Sequence, residues 1–192
     1  LQRLNRLISD IANATRLDAE LNRGETEVFD LAALAEELGD ALAVGLAENQ
    51  DIQLVVQADA GCFVSAQKPR IAQIIDNLVS NAASFSIPQG RIFMTARQEA
   101  GQILLMVADE GPGLPDGTQE RIFDRFYTDR ETAPAKATSN KQLKAGHSGL
   151  GLSISRQIAR AHGGDVVGSN RPDGSGAYFT LSMPMQPQLA KS

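Results

Sequence analysis

The chain has 192 residues, 42% of them hydrophobic and 21% charged, and it carries a net charge of −5 at pH 7. This length suits one domain with a buried core plus an accessory element, and the acidic balance gives no net field that attracts nucleic acid. Cys62 is the single cysteine, which excludes an internal disulfide, and no Cys/His spacing is typical of zinc. No apolar run approaches the roughly 20 residues that span a bilayer, so we expect a soluble chain from a cytosolic setting.

The first predicted element is a helix over residues 1–22. Its apolar residues recur at the three- and four-residue spacing of a helix that packs on another helix: Leu4, Leu7, Ile8, Ile11, Ala14, Leu17 and Leu21. Two interpretations stay open, a terminal helix folded onto its own domain and one helix of a dimerising hairpin. Because the chain starts inside this pattern without Met, we expect a fragment of a longer protein. Gly24 is predicted to end the helix, and residues 25–27 to form a polar linker at a domain boundary.

The rest of the chain predicts an α+β domain. Helices are predicted from a cap at Asp30 to about residue 48, at 69–85 and at 149–162. Strands are predicted at 52–57, 62–65, 91–98, 102–109, 165–169 and 177–183. Residues 114–145 are expected to be mostly irregular, and residues 187–192 to form a frayed tail. This order predicts a two-layer sandwich with helices on one face of a mixed, mostly antiparallel sheet.

The helix over residues 69–85 carries a polar stripe beside its apolar arc. Asn77 and Asn81 lie one turn apart on that stripe, so both carboxamides project the same way. A carboxamide oxygen is a hard, neutral ligand that suits Mg²⁺ when phosphates supply the charge. Alone, the pair also fits two asparagines that face solvent or cap a helix.

Asp109 follows a strand whose apolar run predicts burial. An ionised carboxylate there costs several kcal/mol unless it is paired, so Asp109 needs a donor such as the amino group of an adenine. Gly111 and Gly113 would let the backbone approach the base closely. Alone, this segment also fits an ordinary Asp-Gly turn.

Three glycines, Gly146, Gly149 and Gly151, lead into the last predicted helix. Free N–H groups and the positive end of the helix dipole favour a phosphate at such a position. The spacing matches neither a Walker loop nor a Rossmann fingerprint. A flexible connector is the alternative.

In this order the motifs resemble the histidine kinase branch of the Bergerat-fold ATPases. Its N, G1, F and G2 boxes are similar to residues 73–82, 109–113, 122–127 and 146–154. The resemblance implies an ATP-binding catalytic domain over residues 25–186, with residues 114–145 as a mobile lid. Residues 1–24 would be the second helix of a dimerisation and phosphoacceptor hairpin. Residues 84–86 and 126–130 also resemble the alphaproteobacterial ChvG-like kinases.

The resemblance also implies roles for individual residues. Asn81 would ligate Mg²⁺, Asn77 would lie close to the nucleotide, and Asp109 would bind the adenine amino group. Arg125 and Arg130 would neutralise the γ-phosphate, with cations of the same lid as alternatives: Lys136, Lys141 and Lys144. The other nucleotide-binding candidates are Ser84, Gly111, Gly113, Leu114, Tyr127, Gly146, His147, Ser148, Gly149, Leu150, Gly151 and Leu152.

Two departures from the family pattern affect the expected chemistry. Many members have Lys three residues after the second Asn, where this chain has Ser84. Hydrolytic relatives have a Glu general base at the position of Asn77, and because an amide cannot take a proton from water, kinase chemistry is favoured over hydrolysis. The two histidines do not match the acceptor: His147 is expected to line the loop, and His162 to cap or pack.

The expected function is transfer of the γ-phosphate of MgATP to a histidine on an upstream helix of the same or the partner protomer. An aspartate on the receiver domain of a response regulator would then receive it. The intact protein would be a homodimer anchored in the bacterial inner membrane, with this portion in the cytoplasm. Two alternatives stay open: a nucleotide-binding scaffold without transfer, and an ATPase of the chaperone or topoisomerase type.

Overall fold

The computed structural model describes residues 24–127, 149–172 and 176–187. Its helices are α1 (Leu31–Gln50), α2 (Lys68–Phe85) and α3 (Gly151–Ala161). Its strands are β1 (Glu27–Asp30), β2 (Gln53–Ala58), β3 (Phe63–Ala66), β4 (Arg91–Glu99), β5 (Gln102–Asp109), β6 (Asp165–Asn170) and β7 (Ala177–Pro184). The predicted helix over residues 1–22 and the tail from residue 188 lie outside the described residues.

The main sheet has five strands in the order β2-β4-β5-β7-β6. β2 runs parallel to β4, and the other neighbours are antiparallel, while β1 and β3 form a separate antiparallel pair. α1 packs on β2, α2 on β5 and α3 on β6, and α2 and α3 also pack on each other. The predicted sandwich with helices on one face of a mixed sheet is therefore confirmed.

The core lies between α2 and the inward-facing side chains of the sheet. The apolar arc predicted for α2 is fully buried at Ile71, Ile74, Ile75 and Leu78. It faces alternate residues of the central strands, of which the largest are Ile92, Met94, Ile103, Leu105, Phe179 and Leu181. Each such side chain contributes about 1.5–3 kcal/mol on burial. This packing fixes the direction of α2, so its polar stripe is held toward one side of the domain.

Residues 25–27 were expected to be a linker, and this prediction was wrong at Glu27. β1 begins there and pairs with β3, with Glu27 opposite Ala66. The predicted cap is confirmed, because the carboxylate of Asp30 accepts a hydrogen bond from Ala32 N at 3.0 Å. It also accepts bonds from the backbone N–H groups of Gly61 and Cys62. A four-residue strand is too short for a clear alternation, and its pairing depends on a partner more than 30 residues away.

Residues 114–127, which were expected to be mostly irregular, include regular and packed structure. Residues 121–123 form a short 3-10 helix, and Ile122 and Phe123 are buried in the core. A Cβ at Gly168 of β6 would lie 2.8 Å from Ile122 Cδ1, so the glycine leaves room for this side chain. Residues 114–127 are thus packed onto the domain. No helix in the described ranges is long and apolar enough to cross a membrane.

Candidate functional site

Asn77 joins α2 to the first turn of α3. Its amide nitrogen donates to Gly151 O and to Ser155 Oγ, each at 3.2 Å. The hydroxyl of Ser155, which is fully buried, in turn donates to Gly151 O at 2.9 Å. Both N–H groups of Asn77 are therefore used within the protein, and its side-chain oxygen takes no part in these bonds.

Asn81 lies one turn further along α2 and is half-buried. Within the described part of the chain, no hydrogen bond uses its side chain, so its carboxamide oxygen can accept a ligand. Ser84 Oγ donates to the backbone carbonyl of Asn81 at 2.8 Å. The structure thus ties the predicted nucleotide ligand Ser84 to its own helix.

Asp109 ends β5 with a carboxylate that is 2% exposed. Its Oδ1 accepts hydrogen bonds from Gly111 N at 2.8 Å and from Ala177 N at 3.3 Å. Burial raises the pKa of Asp109 above its usual value, and the two N–H groups and the charge of Arg171 oppose that rise. The predicted need for donors is met in part by the backbone, and neither bond uses the second oxygen, Oδ2.

The turn after Asp109 is packed too closely for side chains at two glycines. A Cβ at Gly111 would lie 2.5 Å from the carbonyl oxygen of Phe85 at the end of α2. A Cβ at Gly176 would collide with the carbonyl oxygen of Asp109 itself. The sequence predicted that Gly111 lets the backbone approach a ligand closely. In the structure, Gly111 also lets the turn pack against the end of α2.

Gly149 and Tyr127, which flank residues 128–148 in the chain, lie next to each other in the structure. Gly149 has φ +73°, and its carbonyl accepts a hydrogen bond from Phe126 N at 3.0 Å. A Cβ at Gly149 would lie 2.7 Å from Tyr127 O. Leu150 is buried and Leu152 is half-buried against the core. The remaining loop and lid candidates lie outside the described residues: Arg130, Lys136, Lys141, Lys144, Gly146, His147 and Ser148.

Arg125 lies away from Asn77. It lines an open groove of about 490 Å³ between the 3-10 helix and the α3 residues Ser153, Arg156, Gln157 and Arg160. Those positions are on the opposite side of α3 from Gly151 and Ser155. The structure therefore does not bring Arg125 together with the asparagine pair.

Arg156 ties the 3-10 segment to α3 and β6. It forms salt bridges with Glu120 at 2.7 Å and Asp165 at 2.9 Å, and its guanidinium lies 4.6 Å from the centroid of the Phe123 ring. Partial burial opposes ionisation of Asp165, but hydrogen bonds from Arg156 and Arg160 outweigh it and lower the pKa of Asp165 to about 2. This network holds residues 120–123 against α3 and β6.

His162 acts as predicted, at the end of α3. Its Nδ1 lies 2.8 Å from Ile158 O, and its Nε2 lies 3.2 Å from the backbone nitrogen of Gln67, the residue that precedes α2. Gln67 N–H donates to Nε2, so Nδ1 carries the proton that bonds Ile158. The ring joins two helix ends and is not placed as a phosphate acceptor.

Sequence reasoning missed Asn170, which pairs with Leu114. Leu114 N donates to Asn170 Oδ1 at 2.5 Å, and Asn170 Nδ2 donates to Leu114 O at 2.9 Å. The next residue, Arg171, donates to Asp109 O at 3.4 Å. These residues lie more than 50 positions apart in the chain, so no local spacing identifies them. Ser155 was also missed, although a small polar residue four positions after Gly151 is a detectable signal.

Comparison with known families identifies the domain. The family described as histidine kinase-, DNA gyrase B-, and HSP90-like ATPase matches residues 66–187. That range includes Asn77, Asn81, Asp109 and α3, and it covers more than half of the chain. The chain belongs to this family. As an ATPase-family domain, it has ATP as its expected substrate.

The relatives of this ATPase-family domain are sensor histidine kinases. It is 42% identical to the sensor protein ChvG of Agrobacterium fabrum over 195 residues, 96% of this chain and 31% of the relative. It is also 42% identical to the ChvG of Rhizobium meliloti, over 97% of this chain and 33% of the relative. The chain thus spans about a third of these relatives, and the predicted ChvG-like resemblance is confirmed.

Solved structures agree with this assignment. The catalytic domain of the histidine kinase ThkA has a TM-score of 0.68 and 28% identity, over 84% of this chain and 97% of that one. Full-length ShkA in complex with AMPPNP has a TM-score of 0.75 and 25% identity, over 98% of this chain and 37% of that one. The domain is therefore a homologue of histidine kinase catalytic domains. The scaffold, chaperone and topoisomerase alternatives are not favoured.

Proposed function

We propose that this domain binds MgATP and delivers its γ-phosphate to a histidine on a helix of the dimerisation hairpin, in the same or the partner protomer. The phosphate then passes to an aspartate on the receiver domain of a response regulator. The observation that carries the proposal is the bonding of Asn77. Both its N–H groups donate hydrogen bonds to α3, and an amide cannot deprotonate water. The position of the base in hydrolytic relatives is therefore occupied by a residue that links two helices.

Asp109 supports adenine binding in this proposal. Its Oδ1 is held by two backbone N–H groups, which leaves Oδ2 to accept from an exocyclic amino group. The same two bonds fix the orientation of the carboxylate before a base arrives. Gly111 and Gly113 line the approach to it. Leu114 and Tyr127 would add further contacts to the nucleotide.

The described residues could bind Mg²⁺ only if phosphate oxygens supplied most of its ligands. They include no cluster of three or more His, Cys, Asp or Glu that could hold a metal ion. Asn81 offers one neutral oxygen, which suits an ion whose other ligands are phosphate oxygens and water. The ion would neutralise charge on the transferring phosphoryl group. Asn81 would orient it beside α2.

The phosphates are proposed to lie at the start of α3. Gly149, Leu150 and Gly151 place backbone N–H groups near the positive end of that helix. The lid expected over residues 114–145 would close over the phosphates, and Arg125 or Arg130 would supply positive charge. Arg125 would need to leave the groove beside Ser153 to do so.

The partners follow from the relatives. ThkA has been solved in complex with the response regulator protein TrrA, with a TM-score of 0.70 and 26% identity to this chain. This likeness supports a receiver domain as the phosphate acceptor. By similarity to sensor proteins, the intact protein is proposed to be a homodimer anchored in the inner membrane, with this domain in the cytoplasm.

The test is a transfer assay with separate components. The chain is incubated with Mg²⁺, γ-labelled ATP and a hairpin fragment that contains the acceptor histidine, and a hairpin with that histidine changed to glutamine is the control. Acid-labile, base-stable label on the histidine-containing hairpin alone is the expected result. Binding without transfer would identify a scaffold, and release of phosphate alone would identify an ATPase; either result contradicts the proposal.

A further inference from the structure

The turn of residues 109–114 is held at both of its ends by the β6–β7 hairpin. At its start, Asp109 Oδ1 accepts a hydrogen bond from Ala177 N, the first residue of β7. At its end, Leu114 exchanges two hydrogen bonds with the side chain of Asn170, the last residue of β6. The hairpin therefore closes the turn as a loop fixed at both ends.

The Asn170 side chain makes the hydrogen bonds to Leu114 that a neighbouring strand would make within a sheet. β5 ends at Asp109, so Leu114 lies beyond the backbone ladder of the sheet. A carboxamide carries one acceptor and a donor at its end, so it pairs with Leu114 N and O as an opposite residue of an antiparallel strand would. Aspartate lacks the donor, and glutamine is one methylene longer. The bonding therefore specifies asparagine.

The contact with the turn is close. A Cβ at Gly113 would lie 2.8 Å from Asn170 Oδ1, so the asparagine packs directly against the glycine that precedes Leu114. Asn170 itself is exposed. Its bonds therefore add little to the core, and their main effect is on the position of the turn.

We propose that Asn170 is a positioning residue for adenine binding, which fixes the turn of residues 109–114 so that the Asp109 carboxylate is preformed for the base. This inference rests on the proposed function. Asn170 does not contact the nucleotide. Without it, Leu114 loses both partners, the glycine-containing segment before it gains freedom, and the bond from Gly111 N to Asp109 opens more often.

The first experiment measures nucleotide affinity for Asn170→Ala and a matched control. The control is Gln98→Ala, which also removes an exposed amide that donates to a distant backbone carbonyl, that of Gly61 at 2.6 Å. Gln98 lies at the end of β4 that is remote from Asp109. Loss of two hydrogen bonds predicts that the dissociation constants of ATP and ADP rise about tenfold in Asn170→Ala. The control should bind both nucleotides as the unchanged chain does, and both variants should keep its melting temperature to within a few degrees.

The second measurement reads the turn itself without nucleotide. Amide hydrogen exchange at Gly111 should accelerate in Asn170→Ala and stay unchanged in Gln98→Ala, while exchange in the centre of β5 stays unchanged in both. In the transfer assay the variant should raise KM for ATP and leave kcat unchanged. Equal affinity and equal Gly111 exchange in Asn170→Ala and the unchanged chain would overturn the inference. Failure of the unchanged chain to bind ATP would instead overturn the proposed function.

Discussion

The side-chain nitrogen of Asn77 on α2 lies 3.2 Å from the hydroxyl of Ser155 on α3, and this bond joins the two helices that flank the proposed phosphate site. Asn77 also reaches Gly151, the first residue of α3. The two asparagines of the motif therefore have different surroundings. Asn77 links the two helices, whereas the side chain of Asn81 takes part in no hydrogen bond among the described residues.

Ser155→Ala tests this link. The substitution leaves a partly buried Asn77 N–H without its second acceptor, which costs about 1 kcal/mol in the free energy of unfolding. Urea denaturation should show this loss, and ATP affinity should fall because the start of α3 is less well fixed. Ser153→Ala is the control, since Ser153 Oγ donates to Leu150 O at the start of its own helix and not, among the described residues, to another element. Equal effects of the two substitutions would refute a helix-linking role for Ser155.

Asp109→Asn is expected to separate stability from binding. Burial raises the pKa of Asp109, so the folded state favours the protonated carboxyl group more than the unfolded state does. The protonated group therefore contributes to the free energy of unfolding at acid pH, and this contribution is lost as pH rises through the raised pKa. The neutral variant escapes this loss and can keep its bonds from Gly111 N and Ala177 N. Its free energy of unfolding should therefore match or exceed that of the unchanged chain at pH 7, whereas ATP binding should disappear.

The measurement is urea unfolding from pH 3 to 7 together with titration of ATP. Asp116→Asn, an exposed carboxylate after the same turn, is the control and should alter neither property. A variant at Asp109 that binds ATP normally would remove this residue from the adenine site.

The sequence predicted the three described α-helices and all but one described strand to within about two residues, because their apolar periodicities are local. It failed at β1, whose four residues gain a strand conformation only from pairing with β3. The order of the sheet also depends on distant pairing, as with β5 beside β7. Local patterns carry no information about such partners.

For the candidate site too, the sequence identified some residues and not others. Asn81 and Asp109 stand out by residue type and by position on a predicted element. Asn170 and Ser155 were not predicted because their hydrogen bonds cross the fold, and Ser84 bonds its own helix. The packing of residues 121–123 was not predicted, because burial of Ile122 depends on space left by the distant Gly168.

Gly149→Ala should impair nucleotide binding beyond its effect on stability. Gly149 combines φ +73° with a Cβ position 2.7 Å from Tyr127 O, so alanine meets both backbone strain and a clash at the base of the proposed lid. Gly101→Ala is the matched control, because Gly101 has φ +79° and open space around its Cβ position. Gly101→Ala should lose about 1 kcal/mol of stability through backbone strain, and Gly149→Ala should lose more because its clash adds to the same strain. Only Gly149→Ala should weaken ATP binding, and a normal ATP affinity for it would contradict the proposed lid base.

Asp165→Asn should destabilise the chain in a pH-dependent way. Despite partial burial, Arg156 and Arg160 lower the pKa of Asp165 to about 2, so its stabilising effect is full above the usual carboxylate pKa. It is lost as pH falls toward 2. The melting temperature of Asp165→Asn should therefore lie below that of the unchanged chain at pH 7, and the two should converge near pH 2. Glu99→Gln, which breaks an exposed pair with Arg97, should have a much smaller effect. A difference that persists unchanged to pH 2 would show that the charge of Asp165 is not responsible.

The most direct test of the kinase proposal follows the γ-phosphate of ATP into two products at once, phosphohistidine on a separate hairpin fragment and free phosphate in solution. We predict that the unchanged chain with Mg²⁺ places most of the transferred label on the hairpin, and that Asn81→Ala abolishes this transfer. Label that accumulates mainly as free phosphate, or transfer that is undiminished in Asn81→Ala, would contradict the account.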